Sequence, residues 1–386
     1  MGERSVCEGL VKKRKISGWA FVVAFNVAAI AAVLGVGELG ARWMSGPTAT
    51  DQDDQLPMCR PDALTIWRYR PDIRLTYRTP EFEMQIRTND AGLRQGPIAS
   101  AEADVTTVLF IGDSFTFGWG VTEEQRYTEV LARLVAAQRP GTRLRIVNAG
   151  HWMYASDQQL VLMKEMIERY RPSIVVQGLY WMHIRTLFNH RLVRAPDGTL
   201  QAVEDSKIKV SDRGVLKLQS DWLERPPLNS QLVATVARAL LNRDVLERAS
   251  EWVDYFRPGK TPDDALWALT DDIAGETIRT LKTAGIAYIP FLVPSIVEVT
   301  GSNWTAVGWK RPTPPADVDI NLPARRMVSI FARHGTQLIE LAAPLRARAG
   351  TGLYFPQDGH WTVQGHAAVA EILAPHLDRA LGQQRR

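Results

Sequence analysis

The stretch VLFIGDSFTFGWG, residues 108–120, is an apolar run that stops at a glycine, an acid and a serine. Its first four residues are β-prone, and the segment after Ser114 is aromatic and glycine-rich. A surface turn needs only the glycines, and a core strand needs no serine. We therefore interpret Ser114 as a nucleophile held where a buried strand ends, which requires a base elsewhere in the chain.

From residue 105 onward, short apolar runs alternate with helix-like segments. The expected strands are Thr107–Ile111, Leu144–Val147, Ile174–Leu179, Ala287–Val293 and Gln337–Leu341, and the expected helices include Tyr127–Gln138, Asp157–Arg169 and Asp271–Ala284. This alternation predicts an α/β domain whose parallel sheet is covered on both faces. Right-handed crossovers place all strand carboxyl ends at one edge, where such sheets bind ligands. Ser114 is expected at that edge.

A candidate base and acid occur near the other end of the chain, in LYFPQDGHWTVQGHAAVAEIL, residues 353–373. Asp358 precedes His360 by two residues, on a loop that leads into a final helix-like run. An aspartate in this position can orient the imidazole from within the same turn. The Asp-x-His pattern is weak alone, and it becomes specific when paired with Gly-Asp-Ser after the first strand.

With this pairing, the chain resembles the SGNH, or GDSL-type, hydrolase superfamily. IGDSFTFGWGV is similar to the family's first block and DGHWTVQGH to its last, while IRTNDAGLR (86–94) resembles a segment of membrane-anchored members. The resemblance covers residues 84–376. It implies a three-layer α/β/α, flavodoxin-like domain with a five-stranded parallel sheet. It also implies acyl-ester hydrolysis or transfer without metal or cofactor, with Ser114 as nucleophile, His360 as base and Asp358 as orienting acid.

The middle blocks depart from the family pattern at the oxyanion site. Met153 aligns with the family's donor glycine, and a shifted alignment would use Gly150 instead. Met182 and His183 stand where the family has Asn-Asp, and a thioether cannot replace the asparagine amide. Losing one such donor costs about 10²–10³ in rate. The oxyanion candidates are therefore the backbone or side chains of Ser114, Gly150, Met153 and His183.

Six aromatic residues are expected near the same edge of the sheet. Aromatic faces suit the apolar C–H faces of sugar rings, although packing in the core or at the rim is the alternative for each. The substrate-binding candidates are Trp119, Trp152, Tyr154, Tyr180, Trp181 and Trp361.

The N-terminus combines a basic cluster, Lys12–Lys15, with an uncharged apolar run, Ile16–Gly37. A run of this length predicts a membrane span, with a cleaved signal peptide or a buried core helix as alternatives. The expected organisation is a cytoplasmic basic segment (1–15), a transmembrane signal anchor (16–45) and a tether (46–83), followed by the hydrolase-like domain (84–382). By the positive-inside rule, this single-pass inner-membrane topology leaves the domain on the periplasmic or extracytoplasmic side.

About a hundred residues separate the third and fourth expected strands. We interpret residues 185–262 as an insertion that contains a β-ribbon and an amphipathic helix, serving as a lid, a substrate platform or a structural embellishment. The net charge of +4 comes without a basic stripe interleaved with aromatics, which argues against nucleic acid as a partner. No cluster has metal-ligand spacing, and no internal disulfide is expected from Cys7 and Cys59.

These features together predict a membrane-anchored, extracytoplasmic serine esterase or O-acyltransferase. Its expected substrate is an acylated, above all acetylated, saccharide of a cell-envelope or exported polysaccharide, and its expected setting is an envelope polysaccharide-modifying complex. Two alternatives stay open. One is a catalytically inactive protein of the same fold that binds glycan or a partner, and the other is a lipase or thioesterase of that fold.

Overall fold

The computed structural model describes most of the chain. The described residues are 18–44, 57–100, 102, 104–183, 191–194, 200–203, 208–210, 216–218, 253–259, 264–302, 304, 316–348, 350 and 352–384. The chain divides into two compact units, one comprising residues 1–50 with 221–241 and the other residues 51–220 with 242–386. The expected basic segment (1–15) lies outside the described residues, as does nearly all of the amphipathic helix expected in the insertion.

The apolar N-terminal run forms a helix of 27 residues, α1 (Gly18–Met44), which is the described part of the first unit. Large apolar side chains along it are exposed, among them Phe25, Ile30, Val33 and Val36. In the part of the chain that the structure describes, no helix has the length and apolar character needed to cross a membrane. The transmembrane span expected over residues 16–45 stays a prediction.

The second unit begins with two antiparallel hairpins. Their strands are β1 (Cys59–Asp62), β2 (Ile66–Tyr69), β3 (Arg74–Arg78) and β4 (Glu83–Arg87). Much of the expected tether (46–83) is therefore folded: Met58, Trp67 and Tyr69 are at most 1% exposed, because their large apolar surfaces are removed from water. The turn between β3 and β4 lies at residues 79–82.

The remaining elements follow the predicted alternation of strands and helices. In chain order they are β5 (Val105–Gly112), α2 (Ser114–Phe117), α3 (Tyr127–Gln138), β6 (Arg143–Gly150), α4 (Ser156–Tyr170), β7 (Ile174–Leu179), β8 (Arg191–Arg194), β9 (Leu200–Val203), β10 (Ile208–Val210), β11 (Leu216–Leu218), α5 (Asp264–Thr283), β12 (Ala287–Leu292), α6 (Ile296–Thr300), α7 (Leu322–Arg333), β13 (Ile339–Glu340), α8 (Ala342–Arg346) and α9 (Val363–Gln384). In the described part of the insertion, β8 pairs with β9 and β10 with β11, both antiparallel, as expected of a β-ribbon.

The central sheet has five parallel strands in the order β13-β12-β7-β5-β6. The prediction of this sheet is confirmed, and every expected strand overlaps the observed one. Strands β5 and β7 are buried along nearly their whole length, because helices cover both faces of the sheet. Helix α3 packs with α9, while α5 packs with α4 and α7.

The strand order reverses at β5, which lies between β6 and β7 although both follow it in the chain. Chain connections leave such a strand in opposite directions, and a crevice opens at its carboxyl end, where ligands bind in α/β proteins. Ser114 follows β5 after a single intervening residue. The topology therefore places this hydroxyl at the crevice.

The end of β6 lies directly against α2, the helical turn that begins with Ser114. A Cβ atom on Gly150 would lie 2.3 Å from the backbone N of Phe117 and 2.5 Å from the carbonyl carbon of Thr116. Both neighbours are backbone atoms, which cannot move aside as a flexible side chain can. Gly150 thus sets how closely β6 approaches α2.

We predict that Gly150→Ala lowers the free energy of unfolding by at least about 2 kcal/mol, because the added methyl overpacks a backbone contact. Chemical denaturation measures this change. Gly350→Ala is the matched control, since a Cβ there meets no atom within 4 Å. Equal stability of the two variants would contradict the close packing of β6 on α2.

Candidate active site

Three side chains form a continuous hydrogen-bonded chain at the crevice. His360 Nε2 lies 2.7 Å from Ser114 Oγ, and His360 Nδ1 lies 2.5 Å from Asp358 Oδ1. The structure thus brings together the three residues that the sequence nominated from opposite ends of the domain. An imidazole with one nitrogen on a hydroxyl and the other on a carboxylate is the arrangement that activates a serine for attack.

Ser114 is presented by a tight turn of helix. Asp113 caps α2, and its Oδ1 accepts a hydrogen bond of 2.9 Å from the backbone N–H of Phe115. Gly118 ends the turn in the left-handed conformation. Ser114 is the first residue of the turn, so its own N–H has no intrahelical acceptor. The local sequence therefore exposes both a hydroxyl and a backbone donor at one point.

Arg94 fixes the segment after this turn from the other side. Its buried guanidinium donates to the carbonyl oxygens of Phe117, Gly118 and Val121, at 2.9, 2.5 and 2.7 Å. Burial and the neighbouring Arg126 lower the pKa of Arg94 to about 9, which leaves it charged at neutral pH. This residue ends the segment 86–94, and its role was missed by sequence reasoning.

Asp358 is held in its charged form by its neighbours. Burial alone would raise the pKa of Asp358, but hydrogen bonds from His360 and Trp119 and the charge of the imidazole bring it below its usual value. An ionised carboxylate orients the imidazole, with the proton on Nδ1 and the lone pair of Nε2 facing the serine.

A cavity of about 180 Å³ lies beside the three residues. Its other walls are made by side chains of several elements, which are Phe115, Trp152, Met153, Tyr180, His183, Ser295 and Ile296. Ser295 and Ile296 follow the carboxyl end of β12 and were not nominated from the sequence. Their position directly after a predicted parallel strand is the sequence signal by which they could have been found.

Ser114 and Met153 both line this cavity, and Met153 lies in the turn after β6. Met153 has φ +60°, a left-handed conformation that costs a non-glycine residue about 1–3 kcal/mol. Within the described residues its N–H has no hydrogen-bond acceptor. Met153 therefore adopts the kind of backbone conformation that glycine adopts most readily.

Two other oxyanion candidates do not fit the role. The N–H of Gly150 already donates to Asn148 Oδ1 at 2.9 Å. His183 Nδ1 lies 3.1 Å from the carbonyl of Tyr154, which only accepts, so this nitrogen carries the proton. Burial lowers the pKa of His183, although the nearby Asp113 opposes this shift. The neutral ring then presents Nε2 as an acceptor, which cannot stabilise an oxyanion.

Tyr180 directly follows β7 and forms part of the cavity wall. The sequence alignment had instead placed Met182 and His183 at the positions of the Asn-Asp pair of the SGNH hydrolases. The Tyr180 hydroxyl donates to Met182 Sδ at 2.7 Å and is therefore engaged. None of the described residues that line the cavity is an asparagine.

The six aromatic candidates separate into cavity and core residues. Trp152 and Tyr180 line the cavity. Tyr154, Trp181 and Trp361 are at most 1% exposed, so they pack the core rather than face a ligand. Trp119 is 5% exposed, stacks on Trp152 at 5.5 Å between ring centroids, and does not line the cavity. Burial of large apolar rings explains why the core takes most of this set.

Among the described residues, no group of three or more His, Cys, Asp and Glu side chains is arranged to hold a metal ion.

No protein-family model matches the chain, and no curated protein sequence matches it significantly. Solved structures resemble it distantly. TesA is 14% identical with a TM-score of 0.37, over 71% of this chain and 99% of that one. An acetyl xylan esterase is 15% identical (TM-score 0.40; 70% and 98% covered), and the lipase/acylhydrolase from Enterococcus faecalis is 12% identical (0.39; 71% and 95%). At these scores the likeness assigns nothing to this chain.

Proposed function

We propose that this chain is a serine esterase that forms an acyl-enzyme at Ser114. The observation that carries the proposal is the hydrogen-bonded chain from Ser114 Oγ through His360 to Asp358, with bonds of 2.7 and 2.5 Å. This alignment supports an active site over a catalytically inactive binding protein, because a binding site has no need of a serine, an imidazole and a carboxylate in this order.

The reaction begins when Ser114 Oγ attacks the acyl carbonyl and His360 Nε2 takes the hydroxyl proton. The backbone N–H groups of Ser114 and Met153 stabilise the oxyanion that develops on the carbonyl oxygen. Asp358 stabilises the imidazolium, which then protonates the departing alkoxide. Water that attacks the acyl-serine completes ester hydrolysis, whereas a sugar hydroxyl in its place completes O-acyl transfer.

The proposed substrate is a short-chain ester, above all an acetyl ester, of a saccharide. The cavity of about 180 Å³ is smaller than the ~300–1,000 Å³ typical of sites for drug-sized ligands. Its walls include Phe115, Met153 and Ile296, which suit a small apolar acyl group. Trp152 is half-buried in the same wall and offers an aromatic face to a sugar ring.

We predict that Ser114→Ala and His360→Gln each lower p-nitrophenyl acetate hydrolysis by at least about 10³-fold, because each removes one member of a unit that acts together. Ser114→Ala should also abolish covalent labelling of the full-length protein by a fluorophosphonate. Ser329→Ala, on exposed α7 surface, is the control and should keep full labelling. A folded parent that is neither labelled nor active would contradict the proposal and favour a binding protein.

We predict that acetyl and propionyl esters are cleaved with a higher kcat/KM than octanoyl esters, because the cavity accommodates only a short chain. Ile296→Ala should shift this preference toward longer chains by at least about tenfold, since a single methylene in a hydrophobic pocket has that effect and the substitution removes three carbons. Val299→Ala, buried on the same helix but outside the cavity, is the control. Preference of the parent for octanoate would support the lipase or thioesterase alternative.

The compartment is proposed from the sequence: the basic cluster before an apolar run favours anchoring, with the domain outside the cytoplasm. The exposed apolar side chains of α1 are compatible with this proposal. An alkaline phosphatase fused to the C-terminus should be active, since this reporter works only outside the cytoplasm. An inactive phosphatase together with an active cytoplasmic reporter at the same position would refute the placement and, with it, an envelope polysaccharide as substrate.

A further inference from the structure

The loop that carries Asp358 and His360 is attached to the tip of the β3–β4 hairpin. Glu81, in the turn between these strands, accepts two backbone hydrogen bonds through its carboxylate. Oε1 accepts from the N–H of Gln357 at 2.9 Å, and Oε2 accepts from the N–H of Asp358 at 2.7 Å. Such charge-assisted bonds are stronger than those between neutral groups. One side chain thus fixes two consecutive residues of the loop, one of them Asp358.

A second contact reaches the carboxylate of Asp358 itself. Trp119 donates its Nε1–H to Asp358 Oδ2 at 3.2 Å, while Asp358 Oδ1 contacts His360. Each carboxylate oxygen therefore has its own donor, which defines the rotation of the carboxylate about its bond to Cβ. The indole is itself held by its stack on Trp152 and by Tyr77 of β3, 5.2 Å away between ring centroids.

The rest of the loop is held by its own turn and by the start of α2. The N–H of Phe355 donates to the carbonyl of His360 at 2.9 Å, Tyr354 and Trp361 form a β-bridge, and Phe115 packs on His360 at 4.7 Å between ring centroids. Asp358 and His360 are both partly exposed, and Gly359 between them has φ +84°. The N–H of Gly359 bonds to the carbonyl of Phe355, and Phe355 packs against Phe82 of the hairpin at 4.8 Å. The contacts that reach Asp358 from outside this turn thus come from the hairpin and from Trp119.

We infer that Glu81 and Trp119 are positioning residues that hold Asp358, and through it His360, in register with Ser114. This inference rests on the proposed function for its effect on rate. The physical reason is that a 1 Å displacement of an orienting group costs catalysis without weakening substrate binding, because neither residue lines the cavity that receives the acyl group. A merely structural role would instead lower stability and leave the kinetics of the folded fraction unchanged.

The first test is Trp119→Phe in the full-length protein, which removes the Nε1–H and keeps a ring in the stack. We expect kcat for p-nitrophenyl acetate to fall about tenfold with KM unchanged, the size of one lost hydrogen bond to a charged group. Trp304→Phe is the matched control, because Trp304 is also buried and donates its Nε1–H, there to the carbonyl of Gly301. Unchanged kcat in Trp119→Phe, or the same fall in both variants, would overturn the inference for Trp119.

The second test does not depend on activity. Glu81→Ala should speed hydrogen exchange at the N–H groups of Gln357 and Asp358 at least tenfold, and Glu81→Gln should restore part of the protection. Glu83→Ala, on the same hairpin and paired with Arg78, is the control. Equal exchange rates in Glu81→Ala and Glu83→Ala would overturn the inference that Glu81 holds this loop, even if the protein cleaves the ester. The parent and Ser114→Ala could hydrolyse the ester equally slowly while Glu81→Ala still speeds exchange. In that case the role of Glu81 in holding the loop stands, and the proposed function fails.

Discussion

The hydrogen bond between Ser114 and His360 joins residues 246 positions apart, and the chemistry proposed for this chain depends on it. Its length is set by two separate placements. One is the turn after β5, which presents the hydroxyl at the point where the strand order reverses. The other is the loop before α9, which returns the imidazole to the same edge. Because a proton passes between these atoms, small errors in either placement reduce the rate steeply.

The N-terminal hairpins do more for this bond than cover the core. Arg94, just after the second hairpin, donates to three carbonyls of the segment that follows the serine, and Glu81 in the turn of that hairpin accepts from the loop of the base. Both contacts involve a charged group and the backbone of a loop. A loop without regular structure gains a defined geometry in this way, because such bonds are strong and directional. The segment after Ser114 and the loop of His360 are thus both held by residues in or just after the β3–β4 hairpin.

The turn after β6 has a backbone conformation that a methionine seldom adopts. Met153 has φ +60°, and within the described residues its N–H has no hydrogen-bond acceptor. After β7, Tyr180 occupies the cavity wall and its hydroxyl is engaged with Met182. For the proposed reaction, the N–H groups of Ser114 and Met153 are then the oxyanion donors, and two donors are expected to give a slower acyl transfer than three.

Sequence by itself determined the sheet and nominated Ser114, His360 and Asp358, which the structure brings together. An unbroken apolar run identifies Ile174–Leu179 as a strand, because a strand that is buried on both faces has apolar residues at successive positions. Asp358 and His360 can be paired from the sequence because they lie two residues apart in one loop. Only the tertiary structure decided the rest. It showed that the N–H of Gly150 bonds to Asn148, placed Trp181 and Trp361 in the core, and brought Glu81 to the loop of Asp358. These outcomes depend on which atoms meet across hundreds of residues, and a hydrogen bond between distant segments leaves no periodic trace in a single chain.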